Sequence, residues 1–219
     1  MFDRIAPRYD LFNDVLSVGV HRRWRRRAVD VLAPAPHRSY LDVCTGTLDL
    51  AAEIAERAPG AAVFGADFSL PMLAHGIRRW GEKAPAAAAA DALELPFSDR
   101  LFAGCTIAFG LRNLADLEAG LSEMRRVLER GGRVVILEFT TPPGRIFRSA
   151  YHLYFHHVLP WAGGLIARDL PAARYLPRSV SRFPDAEALA GMLRRTGYSS
   201  VRFGYLTRGI AALHTGIRE

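Results

Sequence analysis

Apolar residues along the chain fall into short continuous runs that alternate with helically spaced stripes. The first run covers residues 40–44, and after a glycine-containing turn a helix is expected over 50–57. Pro59-Gly60 marks a turn, and residues 61–66 form a second run that ends on Asp67. Ser69 is placed to cap the next helix, through Met72, Leu73, Ile77 and Trp80. Residues 86–90 are all alanine, a poor strand former, and are placed as a third strand by context. A fourth run spans 102–109. The segment 116–129 then sets Leu117, Leu121, Met124 and Leu128 on one stripe, as an amphipathic helix does. Arg130-Gly131-Gly132 turns into a fifth run at 133–139. Near-continuous apolar strands alternating with helices predict a mostly parallel sheet covered on both faces.

The two ends of the chain depart from that alternation. Residues 1–35 have broken helical spacing, closed by Pro34-Ala35-Pro36, and form a helical N-terminal cap. Residues 145–182 are set apart as a helical insertion on the substrate side, aromatic-rich over 147–168. A last helix is expected at 185–195. Two β-like runs, 200–206 and 210–217, then make an antiparallel hairpin around Thr207-Arg208-Gly209. The expected architecture is α/β: one domain over residues 1–219, seven strands, helices on both faces and a C-terminal antiparallel hairpin.

Composition narrows the class. Of the 219 residues 50% are hydrophobic and 23% charged, as in a globular rather than a disordered chain. The net charge is +7, with a concentration at His21-Arg22-Arg23-Trp24-Arg25-Arg26-Arg27. Such a stretch suits anionic lipid, phosphate or nucleic acid, and equally a solvated helix face. Cys44 and Cys105 both lie in apolar runs and read as buried hydrophobes in a reducing compartment. The opening MFDRIAPRYD lacks an apolar core, so no signal peptide is expected. Residues 151–167 carry three histidines, a proline and a glycine pair, and are too short to span a bilayer. A cytoplasmic protein is expected, peripheral at the inner face of the membrane.

Candidate chemistry collects where open α/β sheets bind ligands, at the carboxyl ends of successive strands. The loop from Cys44 to Asp49 offers Gly46 for close backbone approach and free N–H groups from the following helix. Asp67 lies 21 positions beyond Gly46, a spacing that suits a carboxylate accepting both ribose hydroxyls. Asp91 is placed to bond an adenine amino group while Ala92 packs on the ring. After the fourth run comes Ala108-Phe109-Gly110-Leu111-Arg112-Asn113. Together these point to a nucleoside-type cofactor.

The segments LDVCTGTLDLA, GADFSLPML, DALELPFSD, AFGLRN, RVLERGGRVVILEF, YLPRSVSRFP and LTRGIAALH, with the opening MFDRIAPRYDLFNDVLSVGVHRRWRR, resemble the UbiE/MenG family of quinone-ring C-methyltransferases. AFGLRN and MFDRIAPRYD are the segments specific to it, and the resemblance runs from Phe2 to Gly216. It implies a Rossmann-like class I methyltransferase with S-adenosyl-L-methionine as cofactor. The implied reaction is methylation of a ring carbon of a polyprenylated quinol, in menaquinone or ubiquinone biosynthesis. By the resemblance Gly46, Thr47, Asp67, Phe68, Asp91, Ala92 and Ala108 form the cofactor set, and Arg112 and Asn113 face the methyl-transfer site. Arg112 is expected to stabilise a developing phenolate or to organise a water that takes the proton. Tyr154, His156 and Asp169, in the insertion, are the candidates for contacting the quinol head. His152 and His156 are four apart, but no acid completes a ligand set, and no metal is expected. The expected partners are the lipophilic quinol, a transient membrane-surface contact, and a homodimer or quinone-biosynthesis complex. No nucleic-acid module is recognisable.

Two departures stand out. Glu129-Arg130-Gly131-Gly132 replaces the family's K-P-G-G, in a turn. Leu48 replaces the second glycine of G-T-G-D, where a branched side chain crowds a ligand and disfavours positive φ, so weakened cofactor affinity is expected. Two alternatives therefore stay open. One is a catalytically impaired relative that binds quinone or scaffolds a complex; the other is a methyltransferase for another lipophilic small molecule.

Overall fold

The computed structural model describes residues 19–144 and 170–219. The sequence runs condense into one seven-stranded sheet, in the order β3-β2-β1-β4-β5-β7-β6. These strands are β1 (Ser39–Val43), β2 (Ala62–Asp67), β3 (Ala86–Ala89), β4 (Phe102–Ala108), β5 (Leu128–Phe139), β6 (Tyr198–Leu206) and β7 (Ala211–Arg218). The first five run parallel; β7 lies antiparallel to both β5 and β6. The expected hairpin is present, turning through Thr207–Gly209. Because β1 is flanked by β2 on one side and β4 on the other, the winding direction reverses there. A crevice opens at such a switch point beyond the strand carboxyl ends.

β3 is four alanines, and propensity alone would not make it a strand. Its register on β2, from Phe64↔Ala86 to Asp67↔Ala89, supplies the backbone pairing that the side chains do not favour. β5 begins before the expected turn. Leu128 already pairs with Phe102, and the ladder resumes at Gly104↔Arg133 after Glu129–Gly132 bulge out.

Six α-helices cover the described part of the sheet: α1 (Val20–Leu32), α2 (Asp49–Arg57), α3 (Leu70–Trp80), α4 (Leu117–Val127), α5 (Leu170–Arg182) and α6 (Ala186–Arg195). Aspartate or serine caps start three of them. Ser69 accepts from Met72 N, Asp116 from Ala119 N and Asp185 from Ala188 N. One core layer, with Leu41, Phe102, Ile107, Leu121, Met124, Ile136, Leu189 and Leu193, packs α4 and α6 on the sheet. The other, with Trp24, Val29, Leu32, Leu48, Ile54, Val63 and Leu73, packs α1, α2 and α3.

The arginine-rich segment is one side of α1. His21, Trp24, Ala28, Val29 and Leu32 are buried, while Arg22, Arg23, Arg26 and Arg27 are exposed. Trp24 fixes the helix over the carboxyl end of the sheet. Its ring lies 6.1 Å from both Phe109 and Phe139, and its Nε1 donates to Thr207 Oγ1 at 2.9 Å. No described helix is long and apolar enough to cross a membrane.

Candidate functional site

The crevice at the switch point is a cavity of about 330 Å³. Gly46, Asp67, Phe68, Asp91, Ala92, Ala108 and Asn113 all line it, so the ends of four successive strands converge as expected. Met72, Leu95 and Leu114 add apolar wall.

Asp67 is the organising group. One of its oxygens accepts from Gly46 N and the other from Ser69 N, each at 2.8 Å. The carboxylate thus ties the β1 loop to the start of α3. Beneath it, Asp42 is wholly buried and accepts from the hydroxyls of Thr45 and Thr106, each at 2.6 Å. Burial pushes the Asp42 carboxyl up to about 6, against the lowering effect of the two threonine hydroxyls. Asp91 Oδ1 accepts from Leu93 N at 2.9 Å, which fixes the β3 loop at the opposite wall.

The loops around the cavity are strained. Cys44 (φ 54°) and Phe109 (φ 58°) both line it and are non-glycine residues in the left-handed region. The two loops also touch. A Cβ on Gly110 would stand 2.3 Å from Cys44 Cβ, so only glycine lets them close. Burial raises the Cys44 thiol far above its ordinary range, which keeps it an uncharged wall atom.

Three residues singled out in the sequence do not line the cavity. Thr47 does not line the cavity: it is buried, and its carbonyl accepts from Trp80 Nε1 at 3.2 Å on the α3 side. Arg112 does not line it either. Its guanidinium is spent on Glu138 Oε1 at 2.7 Å, on Ser179 Oγ at 3.3 Å and on the Phe109 carbonyl, and it lies 5.5 Å from the Phe139 ring centre. Arg112 and Glu138 side chains are 7% and 1% exposed, so this is a buried ion pair. It holds the short Leu111–Asn113 turn, which brings Asn113 rather than Arg112 to the cavity wall. The sequence signal for Glu138 is a lone acid at the end of an apolar strand. Sequence reasoning also missed Tyr175, whose hydroxyl donates to Asn113 Oδ1 at 2.8 Å and links α5 to the site.

The third residue is Leu48. It does adopt positive φ, 65°, at the N-cap of α2, but its side chain is fully buried and absent from the cavity lining. A Cβ on Gly65 would fall 2.5 Å from Leu48 Cδ2, so the leucine fills the space that a glycine of β2 leaves. Crowding of a ligand is therefore not its effect. Leu48→Gly is expected to leave cofactor affinity unchanged and to destabilise the fold by about 2–4 kcal/mol, since the lost core packing exceeds the relieved backbone strain of roughly 1 kcal/mol. Urea unfolding beside calorimetric titration checks both; a tenfold gain in cofactor affinity would contradict this reading.

Tyr154, His156 and Asp169 lie outside the described residues.

With this geometry in view, the whole chain can be set against known proteins. The family model described as the ubiE/COQ5 methyltransferase family matches residues 1–218. The chain belongs to that family. It is 52% identical over 220 residues to a demethylmenaquinone methyltransferase of Thermus thermophilus, covering all of both chains. It is 45% identical to a ubiquinone/menaquinone biosynthesis C-methyltransferase of Geotalea daltonii, over 99% of this chain and 94% of the relative. A solved S-adenosylmethionine-dependent methyltransferase of Thermotoga maritima superposes with a TM-score of 0.70 at 16% identity, over 100% of this chain and 98% of the other. The last likeness shows the fold: the class I methyltransferase sheet that the strand order displays.

Proposed function

We propose that this methyltransferase-family chain methylates a ring carbon of a polyprenylated quinol with S-adenosylmethionine as donor, converting demethylmenaquinol to menaquinol or acting at the equivalent ubiquinol step. The observation that carries the reading is a full-length family match on a chain whose switch-point cavity is walled by Asp67, Asp91-Ala92 and Asn113. The donor set fits the cofactor. Asp67 presents a carboxylate at the cavity wall for a ribose diol, Asp91 offers a carboxylate toward an adenine edge, and Ala92, Phe68 and Met72 offer apolar surface to the ring. When bound, S-adenosylmethionine supplies an electrophilic methyl group on a sulfonium.

The chain's own contribution is positioning and dryness. Apolar walls at Leu95, Leu114 and Phe109 exclude water from the reacting pair. Asn113 presents an amide to the cavity, oriented by Tyr175 from α5. Arg112 acts through Glu138 as the tether that sets the Asn113 turn, a positioning role in place of direct phenolate stabilisation. The impaired-relative alternative rested on Leu48 crowding the cofactor, and that residue packs in the core.

Two finer elements belong to the reading. The exposed arginines of α1 support peripheral association with an anionic membrane surface, where the polyprenyl substrate resides. A homodimer or a quinone-biosynthesis complex is the assembly proposed. The reaction is tested by incubating the protein with isotope-labelled cofactor and a demethylmenaquinol extract, then weighing the quinones by mass spectrometry. Transfer of the label to the quinone ring is expected. An unlabelled quinone pool from protein that binds the cofactor would overturn the proposed substrate.

A further inference from the structure

Helix α3 shows an apolar face to solvent. Its inner side is carried by Met72, Leu73 and Gly76, all buried. On the outer side Leu70, Ala74 and Ile77 are exposed, at the i, i+4 and i+7 spacing that lines residues up along a helix, with Pro71 exposed beside them. Leu70 is 66% exposed and Ile77 45%. Phe68, just before the helix, is 81% exposed and also lines the cofactor cavity, so the stripe starts at the cavity mouth. Three of the five large hydrophobics exposed among the described residues thus fall between positions 68 and 77. A single exposed leucine is ordinary; a row of large ones marks a surface that meets another apolar phase.

Charge decides which phase. From Phe68 to Gly81 the chain has no acidic residue, and its two arginines, Arg78 and Arg79, lie in the last turn of α3. Arg78 is exposed and stands four positions beyond Ala74, on the side of the stripe. The first turn of a helix favours an aspartate or glutamate against the dipole; that of α3 has none and presents Leu70 and Pro71 instead. Apolar side chains edged by a guanidinium and free of carboxylates are complementary to acyl chains beneath anionic headgroups. A second copy of the chain fits the stripe poorly. A two-fold contact would set Arg78 of each copy against a surface with no acid to receive it.

We propose that the outer face of α3, from Phe68 to Arg78, is the surface on which the protein rests against an anionic bilayer, with Leu70 and Ile77 among the acyl chains. The inference rests on the quinol reading for its purpose, and it names the contact that reading left open. A cavity whose mouth touches the bilayer takes up a polyprenylated ring without drawing the tail through water.

The test floats the full chain with vesicles of phosphatidylglycerol or of phosphatidylcholine, beside three variants. L70S/I77S removes the two large side chains of the stripe, and R78E reverses its charge. L101S/Y205S removes two hydrophobics off α3, each 44% exposed. The wild type is expected to float with phosphatidylglycerol and far less with phosphatidylcholine. L70S/I77S should weaken binding roughly tenfold or more, R78E roughly threefold or more, and L101S/Y205S less than about twofold. Thermal melts check the folds, and R78E tests the surface by itself where a double variant does not fold. Failure of the wild type to float with phosphatidylglycerol, equal flotation with phosphatidylcholine, or equal losses in the two double variants overturns the surface. So does a wild-type dimer in sedimentation that L70S/I77S dissociates with vesicle binding unchanged, which gives the stripe to a second copy. Labelling of detergent-dissolved demethylmenaquinol is measured separately, and the wild type and all three variants should label it alike. Labelling kept with flotation lost strikes only the bilayer surface; flotation kept with labelling lost in the wild type strikes only the quinol.

Discussion

Replacing Asp67 with alanine is expected to weaken S-adenosylmethionine binding by roughly 100- to 10,000-fold, because two hydrogen bonds to a charged acceptor are lost at about 1.5–3 kcal/mol each. The same carboxylate holds the cavity open from two sides, accepting from Gly46 N on the β1 loop and Ser69 N at the start of α3. Removal therefore deletes a ligand group and loosens the loop that carries Gly46. The fold itself should survive. Asp67 is only partly buried, so both released N–H groups can turn to water. Calorimetric titration gives the affinity and a thermal melt gives the stability. Affinity within threefold of the wild type would show that this carboxylate does not hold the cofactor.

The second large effect is on stability. Glu138→Ala is expected to cost about 3–5 kcal/mol, the usual penalty for stranding one member of a buried ion pair. Glu138 is 1% exposed and satisfies three donors: the Arg112 side chain at 2.7 Å, Arg112 N at 3.3 Å and Phe139 N at 2.9 Å. Without it, the Arg112 guanidinium sits in an apolar corner among Phe109, Phe139 and Ser179 with its charge uncompensated. The double variant Arg112→Met with Glu138→Leu should recover most of the loss, since it removes the stranded charge as well as its partner. It should not recover methyl transfer, because the turn carrying Asn113 loses its tether. Urea unfolding of the two variants separates these claims. A single-variant loss below 1 kcal/mol would remove Arg112–Glu138 as the clamp of this loop.

The two predictions also mark the two kinds of residue in this site. Asp67 is legible in sequence as a wall residue, because an acid at the carboxyl end of a strand, 21 positions beyond Gly46, falls where the sheet opens. Arg112 stands out too, through AFGLRN, yet its guanidinium is held by Glu138, Ser179 and the Phe109 carbonyl, and the residue is not among those lining the cavity. Neighbouring residues on a one-turn 3-10 segment point in different directions, and the backbone that aims them is set by Glu138, 26 positions downstream. Leu48 shows the same limit. Its departure from the family pattern was plain, but the effect of a side chain at positive φ depends on which neighbour is small. Here that neighbour is Gly65 of β2.

Periodicity and punctuation by themselves determined most of the architecture: six of the seven strands, their alternation with helices, the cap at Ser69, and the closing hairpin. These follow from local physics, namely apolar burial on both sheet faces and side chains that satisfy free N–H groups. That Gly46, Asp67, Asp91 and Ala108 meet at one cavity was legible for the same reason, since strand ends place them at one edge regardless of packing detail. Tertiary structure alone decided the rest. The polyalanine β3 exists because β2 offers it a register. Thr47 and Arg112 leave the cavity because Trp80 and Glu138 claim their polar atoms. The arginine run becomes one wall of a pocket only when α2 and α3 bring Asp49 and Arg79 against α1. Each of these rests on contacts between residues distant in the chain, which no local pattern encodes. The feature that first pointed to a nucleoside cofactor, the β1 loop, is held in shape by Asp67 and packed by Leu48.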